Sequence, residues 1–422
     1  MTEPDILPLK NNSFSIFFLL FLIFYSLPCN SNTVIVNEEN IELLINQNPK
    51  DIDLLFMYAV LKQKRGDFHD SLNIMESIIS IGTDNILHYL ELAKLQFYNH
   101  DHSKAEKNFL YVYNKNIPSN FKSNIRNYLR IINRSKPSKF NYNFKISYND
   151  NINNGTYSDT IKLFGVPFTI DENAKAKESY ELYTGIDYTQ QFILDNYRLN
   201  VGGKIDHSNF SNKNYDRLKL SLFGGPELYF KNHKIKIDLT LSREEMNEKN
   251  LSNFRDLTLN HYFNYNPNIM LNSSLSLSKN NYYNNSVYNT EGFSLKTGLS
   301  YISHSGVNYG IIARYSDSKA NEKIYGNDKK YISASIGSKL PYNFYVDISY
   351  GLEKTKYDAF QLIWLTTRED KLELIQLSLK NERLYFRSFY PQLNFTIRDN
   401  YSNVDVYKTS SNSVSLYFIK DF

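Results

Sequence analysis

Groups able to do chemistry are few and scattered along these 422 residues. His100, Asp101 and His102 stand together and offer two imidazoles and a carboxylate, ligand types that a transition metal takes. Their setting is the turn between two helical patterns, where a solvated loop is expected. His207, His233, His261 and His304 are isolated, and the segment 150–159 mixes carboxylates with Asn and Gly. That composition can hold calcium, but it also describes a polar surface loop. No HExxH pair is present and no Gly-rich phosphate loop follows a strand pattern. The single cysteine, Cys29, excludes an internal disulfide and a Cys-based zinc site. The sequence therefore predicts no enzyme, no metal and no cofactor. A net charge of +4 without a basic block also gives no reason to expect nucleic acid as a partner.

The nearest thing to a site is a set of charges in the second half: Lys204, Asp206, Lys234, Lys236, Asp238, Lys296, Arg314, Asp347, Glu353 and Arg398. Each falls in a stretch of period two. Ile235, Ile237, Leu239 and Leu241 alternate with Lys234, Lys236, Asp238 and Thr240; Phe344, Val346, Ile348, Tyr350 and Leu352 alternate with Tyr345, Asp347, Ser349, Gly351 and Glu353. Soluble strands usually run about five or six residues, whereas these runs reach the ~9–11 that a tilted membrane strand requires. If the apolar face meets lipid, the ten charges line a lumen. There they either guide a polar client or pair with one another and brace the wall.

Fourteen such segments can be placed between 139–150 and 405–422. Short connections are expected at 191–194, 225–226, 266–267, 303–305, 341 and 381–382. Longer ones fall at 151–178, 244–251, 281–287, 319–327 and 358–367, the asymmetry of an outer-membrane barrel. In KLELIQLSL the apolar phase slips between Leu374 and Ile375, which predicts a bulge. TIKLFGVPFTI reads as a further hairpin or an inward-folding loop, so sixteen strands stay open. The 35 Tyr and 28 Phe cluster near segment ends, where amphipathic rings suit a membrane interface. A mean hydropathy of −0.48 argues against a helical membrane protein.

The first third has another texture. Residues 14–27, FSIFFLLFLIFYSL, form an apolar run too short to span, with Lys10 before and small residues after: a signal peptide over 1–31, cut after Ser31. Cys29 raises the alternative of a lipidated terminus. Residues 32–136 carry helical spacing. A shift of 34 superposes Leu55 on Tyr89, Ala59 on Ala93, Ser71 on Ala105, Met75 on Phe109 and Ile78 on Val112. That period, with small residues where paired helices cross, predicts a short tetratricopeptide-like domain whose faces pack the repeats or form a client groove. The fold class expected is thus α plus transmembrane β: a periplasmic helical domain over 32–136, then an antiparallel outer-membrane barrel of about fourteen strands over 137–422.

The C-terminal stretch FYPQLNFTIRDNYSNVDVYKTSSNSVSLYFIKDF carries Pro391 entering one strand, Arg398 and Asn400 near its tip, Ser402-Asn403 in the turn, and a terminal Phe422. With SYNDNIN at 147–153 and REDKLELIQLSL at 368–379, it resembles the surface lipoprotein assembly modulators, outer-membrane translocons also called type XI secretion proteins. The resemblance implies a chain that moves lipoproteins or related secreted proteins across the outer membrane, its helices receiving the client. Two clear repeats are fewer than that family leads one to expect. In the last strand Val414, Leu416 and Phe418 are expected to face outer-membrane lipid, and Phe422 to signal to the barrel-assembly machinery. The alternative function is a polysaccharide-export or passive porin with a helical-repeat scaffold.

Overall fold

The computed structural model describes residues 38–420 apart from 195–196, 382–383 and 385–388. The expected leader, Cys29 and Phe422 lie outside the described residues. The chain divides into two compact units, one ending at Asn116 and one beginning at Ile117.

The first unit holds five helices: α1 Glu38–Gln47, α2 Ile52–Arg65, α3 Phe68–Ile81, α4 Ile86–Tyr98 and α5 His102–Tyr113. The Asp51 side chain caps α2 by accepting from the Asp53 and Leu54 amides, both at 3.1 Å. Gly66 ends the helix in the left-handed region at φ 90°, so the Gly66-Asp67 signal is a helix stop. Leu55, Ala59, Leu72, Met75, Ile78, Leu92 and Leu95 form the core. Ala59 and Ser71 are wholly buried where α2 and α3 meet, and the Ser71 hydroxyl donates to the Ala59 carbonyl at 2.9 Å. A larger side chain at either position would hold the helices apart.

The second unit opens with α6 Ser119–Ser135, which puts this helix in the same unit as the barrel. The strands follow: β1 Ser138–Asn149, β2 Thr160–Leu163, β3 Val166–Thr169, β4 Ser179–Leu194, β5 Tyr197–Phe210, β6 Arg217–Phe230, β7 His233–Met246, β8 Lys249–Asn266, β9 Ile269–Tyr282, β10 Thr290–Ile302, β11 Asn308–Ala320, β12 Asn327–Lys339, β13 Phe344–Gln361, β14 Thr366–Asn381, β15 Phe389–Ser402 and β16 Thr409–Lys420. β1 and β4 to β16 close into one antiparallel barrel, with β16 paired to β1. We call the end where β1 starts and β16 stops proximal, and the other end distal. Closure gives every barrel strand a hydrogen-bonded neighbour on both sides, as lipid demands.

TIKLFGVPFTI makes a separate two-stranded sheet, β2–β3, and the barrel has the fourteen strands expected. Four details depart from the sequence expectation. Residues 191–194 are not a turn but the end of β4, with Gln191 opposite Asn200 and Leu194 opposite Tyr197. Gly224, Gly225 and Pro226 are not a turn but lie within β6. A Cβ on Gly225 would run into the Ile237 carbonyl oxygen, and the β6–β7 ladder skips Gly225 and Pro226. The Gly-Gly-Pro run therefore serves a close strand approach and a missing donor. The chain reverses instead at Lys231-Asn232, with Lys231 at φ 46°. The longer loop expected at 244–251 is the tight turn Asn247-Glu248, both left-handed at φ 49° and 59°. No bulge separates Leu374 from Ile375. The ladder is continuous there, and Leu372 and Leu374 simply take inward positions; the register shifts fall at Lys356/Phe360, Glu244/Glu245 and Asn264/Asn266.

Candidate functional site: the polar lumen and its distal cover

Strand alternation sets the two faces. On β1 the exposed Phe140, Tyr142 and Ile146 point outward, and Lys145 and Ser147 point in. Ladder partners share a face, so the register carries this assignment round the wall: Lys145 to Tyr183 on β4, Asp187 to Lys204 on β5, and Lys204 to Ser221 on β6. Followed to β15, it puts all ten candidate charges on the inward face. The outward face carries the exposed Leu220, Leu239, Leu257, Leu275, Leu295, Ile311, Ile332, Ile348, Ile375 and Val414. Leu416 and Phe418 are outward and half-buried, and Pro391 is opposite Phe418.

Seven of the ten charges are in ion pairs. Lys204 meets Asp206 at 2.9 Å, Lys236 meets Asp238 at 2.8 Å, Lys234 meets Glu227 at 2.8 Å, and Arg314 meets Glu353 at 2.7 Å. The last pair bridges β11 to β13 with the Tyr331 ring, 5.0 Å from the guanidinium, between them. Lys296, Asp347 and Arg398 have no ion pair among the described residues. Lys296 lies directly opposite Arg314, and like charge there leaves Glu353 to the arginine alone. The wall is thus braced by pairs, with two exposed cations, Lys296 and Arg398, facing the lumen.

Sequence reasoning missed three groups in this lining. Lys145 pairs with Glu181 at 2.6 Å, and Glu181 also accepts from Ser147 at 2.9 Å and Ser208 at 2.8 Å, joining β1, β4 and β5. Glu227, 6 % exposed, holds Lys234 and also accepts from Tyr229 and from the Asn200 amide at 3.2 Å. It was hidden by the misplaced turn. At the distal end Arg368 is bidentate to Asp370, with contacts of 2.6 and 3.0 Å, and lies between the Tyr357 and Tyr407 rings, 4.5 and 3.3 Å away.

Arg368 belongs to a cover built from three distal connections. Trp364, in the β13–β14 turn, meets Tyr407 edge-on at 6.2 Å. The tip of β2–β3 is tied to the same turn by the Phe164 amide donating to the Ile363 carbonyl at 2.9 Å. Thr156, 1 % exposed, donates from its hydroxyl toward the Asp405 and Lys408 carbonyls at 2.9 and 3.0 Å. Asp150 accepts from the Asn412 amide at 2.7 Å and from its side chain at 2.8 Å. The carboxylates of segment 150–159 thus fasten loops: Asp159 meets Lys175 at 3.0 Å, and its neighbour Glu172 meets the same lysine at 2.9 Å, which holds the ammonium above its usual pKa.

In the first unit, Leu55, Ala59, Ser71, Met75, Ile78, Ala93, Ala105, Phe109 and Val112 are all buried, and Tyr89 is half-buried with its ring 4.3 Å from Tyr111. Buried side chains hold the helices together; the exposed large apolar side chains of this unit are Leu43, Leu44, Met57, Phe68, Ile81 and Tyr98. Asp101 of the His-Asp-His turn caps α5, accepting from the Lys104 amide at 3.2 Å, and pairs with the Lys104 ammonium at 3.4 Å. Among the described residues no three His, Cys, Asp or Glu side chains gather as metal ligands.

No curated protein matches the chain. Solved structures similar to it include the outer membrane protein OmpT of Vibrio cholerae, at 7 % identity over 67 % of this chain and 99 % of that one, TM-score 0.36. A bacterial polysaccharide outer membrane secretin follows at 12 % identity, 66 % and 98 % coverage and TM-score 0.35. Pseudomonas aeruginosa OprD is similar at 8 % identity, 67 % and 94 % coverage and TM-score 0.34. The sequence itself is more informative. Residues 139–422, the entire barrel, match the family described as surface lipoprotein assembly modifier. With its closed wall, apolar outside and polar inside, the protein resides in the outer membrane of a Gram-negative cell and takes part in surface lipoprotein assembly, and its chain belongs to the surface lipoprotein assembly modifier family.

Proposed function

We propose that this chain is a translocon that delivers lipoproteins to the cell surface, its helices receiving the client in the periplasm and its barrel passing it outward. The observation that carries the reading is a polar, ion-paired lumen inside a barrel whose whole length matches a lipoprotein-assembly family. Paired charges offer hydrogen bonding to a moving polypeptide without holding it, because the fixed charges already satisfy one another. The exposed apolar side chains of the helical unit, such as Met57 and Tyr98, suit an unfolded client. Proximal strand ends face the periplasm in this reading, which places the covered distal mouth outside. The outward Val414, Leu416 and Phe418 of β16 meet lipid and present the strand to the barrel-assembly machinery.

The test labels the host's lipoproteins with an alkyne fatty acid, shaves intact cells with protease, and compares the wild type with a deletion of this chain. Loss of protease-accessible lipoproteins on deletion is expected. Equal shaving in the two strains would refute the translocon, and steady bilayer conductance without any client would then favour a passive porin.

A further inference from the structure

Part of the outer wall carries a basic border. Towards the distal end, the outward positions run Leu239, Leu241, Arg243 on β7, then Leu259, Leu257, Arg255 on β8, then Leu275, Leu277, Lys279 on β9. Each cation thus stands one outward position beyond the last leucine of its strand, at the distal limit of the apolar band. Arg255 and Lys279 are direct ladder partners, and like charges so placed repel. Arg243 meets Glu245 at 3.3 Å and Lys279 meets Glu291 at 3.4 Å. Arg255 is exposed and has no ion pair among the described residues. It also lines two furrows in the wall, of about 860 and 400 Å³, the size range of small-molecule sites. Ile205, Leu220, Leu222 and Leu241 line the larger, and Leu239, Leu257 and Leu277 the smaller. Gly203, outward between Tyr188 and Leu222 in the ladder, opens the larger one. A Cβ there would rest 3.5 Å from the Leu222 side chain, an ordinary contact, so neither crowding nor a left-handed backbone calls for glycine. The missing side chain leaves space that faces lipid.

We propose that this patch binds a phosphorylated, multiply acylated glycolipid of the outer leaflet. Arg255, with Arg243 and Lys279, takes a phosphate, and acyl chains lie in the two furrows that Arg255 lines. The inference goes beyond the translocon reading and takes from it only that the distal end faces outside. Charge complementarity names the ligand. A phosphate accepts from a guanidinium in a forked, charge-assisted geometry and brings negative charge between Arg255 and Lys279, where the fold supplies none. A diacylglyceryl group carries no phosphate and would leave those cations unmet, which sets the lipid of a client lipoprotein aside. The apolar furrows lie on the proximal side of the cations, so a headgroup at the border keeps its chains in hydrocarbon.

The test is native mass spectrometry of the purified full chain in detergent, titrated with lipid A, with lipid A stripped of its phosphates, and with phosphatidylglycerol. Lipid A is expected to bind once per barrel, and each comparison lipid at least about tenfold more weakly. Arg243→Gln combined with Arg255→Gln and Lys279→Gln should weaken lipid A by about tenfold or more, and Gly203→Leu, which fills the larger furrow, should do the same. Lys330→Gln with Lys354→Gln and Lys371→Gln removes as much charge from the outward row on β12 to β14, where Lys371 already meets Glu373 at 2.6 Å, and should leave binding unchanged. Heat-modifiable mobility verifies each barrel. The glutamine variants alter only exposed side chains, so the test does not depend on Gly203→Leu assembling. Undiminished binding by the Arg243, Arg255 and Lys279 variant, an equal loss in the β12 to β14 control, or equal binding of either comparison lipid would overturn the site. No client takes part, so that failure leaves the translocon reading intact. Equal shaving in the deletion strain would remove the translocon and leave a measured lipid site standing.

Discussion

Ile348→Arg tests the facing of the whole wall from one position. Ile348 is 47 % exposed on the outward face of β13 and lies level with Ile336 on β12 and Leu377 on β14. Six residues further on, Lys354 occupies the same face with Lys330 and Lys371 as its ladder neighbours, a native row of cations. At a rise of ~3.3 Å per residue and a tilt of ~40°, six residues climb about 15 Å, roughly half of a ~25 Å apolar band. Ile348 thus sits near the midplane and Lys354 near the headgroups. Arginine on the lipid face costs about 2–4 kcal/mol at the midplane and ~0–1 near an interface. For Ile348→Arg that is a factor of roughly 30 to 1,000 in the folding equilibrium. Urea unfolding from lipid vesicles, followed by heat-modifiable mobility, reads it directly. Leu352→Arg, closer to the lysine row, should cost less, and Ser349→Arg, which points into the lumen, should cost little. If Ser349→Arg were as damaging as Ile348→Arg, or if Ile348→Arg assembled like the wild type, the facing derived from the register would be inverted.

Two further outcomes follow from other parts of the molecule. Arg368→Ala removes the bidentate Asp370 contact and the stacking on Tyr407, so protease added to intact cells should cut segment 150–178 sooner than in the wild type; unchanged cutting would mean the cover does not depend on this cluster. His88 is buried between Thr83 and Asn85 against Phe56, and burial lowers its pKa despite the opposing charge of Asp53. The fold therefore favours the neutral ring, and full stability is present above the unfolded value of about 6.5. As pH falls below that value the unfolded chain takes up the proton first, so the helical melting transition, read by circular dichroism at 222 nm, should drop on acidification. His88→Gln should remove most of that dependence, and an unchanged slope would show that other groups set it.

The barrel was legible because period two is a property of single residues: one apolar face and one polar face follow from the letters alone. The helices were legible for a similar reason, since Ala59, Ala93 and Ala105 stand where only small side chains fit. What escaped depends on neighbours distant in the chain. Gly224-Gly225-Pro226 looks like a turn until the Ile237 carbonyl is seen against it. Lys145 finds Glu181 only because β1 lies beside β4. Leu372 and Leu374 look like a phase slip because a lumen tolerates leucine at some inward positions. One signal was present and unread. Four distal connections contain a short 3-10 turn ending in tyrosine: Tyr215, Tyr288, Tyr325 and Tyr407. The Tyr288 and Tyr325 rings meet at a tilt, 4.5 Å apart, and their hydrogen bond pushes the Tyr325 hydroxyl up to about 12. A recurring tyrosine at loop ends marks where the distal surface is assembled.

Trp364 gives the distal cover one more property. It is the sole tryptophan among 422 residues, and it sits where the β13–β14 turn meets Tyr407. Indole emission from the intact protein therefore comes from this one place. Its wavelength and its quenching by an aqueous solute report whether the ring is sheltered by the neighbouring connections or bathed in solvent. The wild-type sequence thus carries its own optical gauge of how far the cover shields this ring, usable in vesicles without any attached dye.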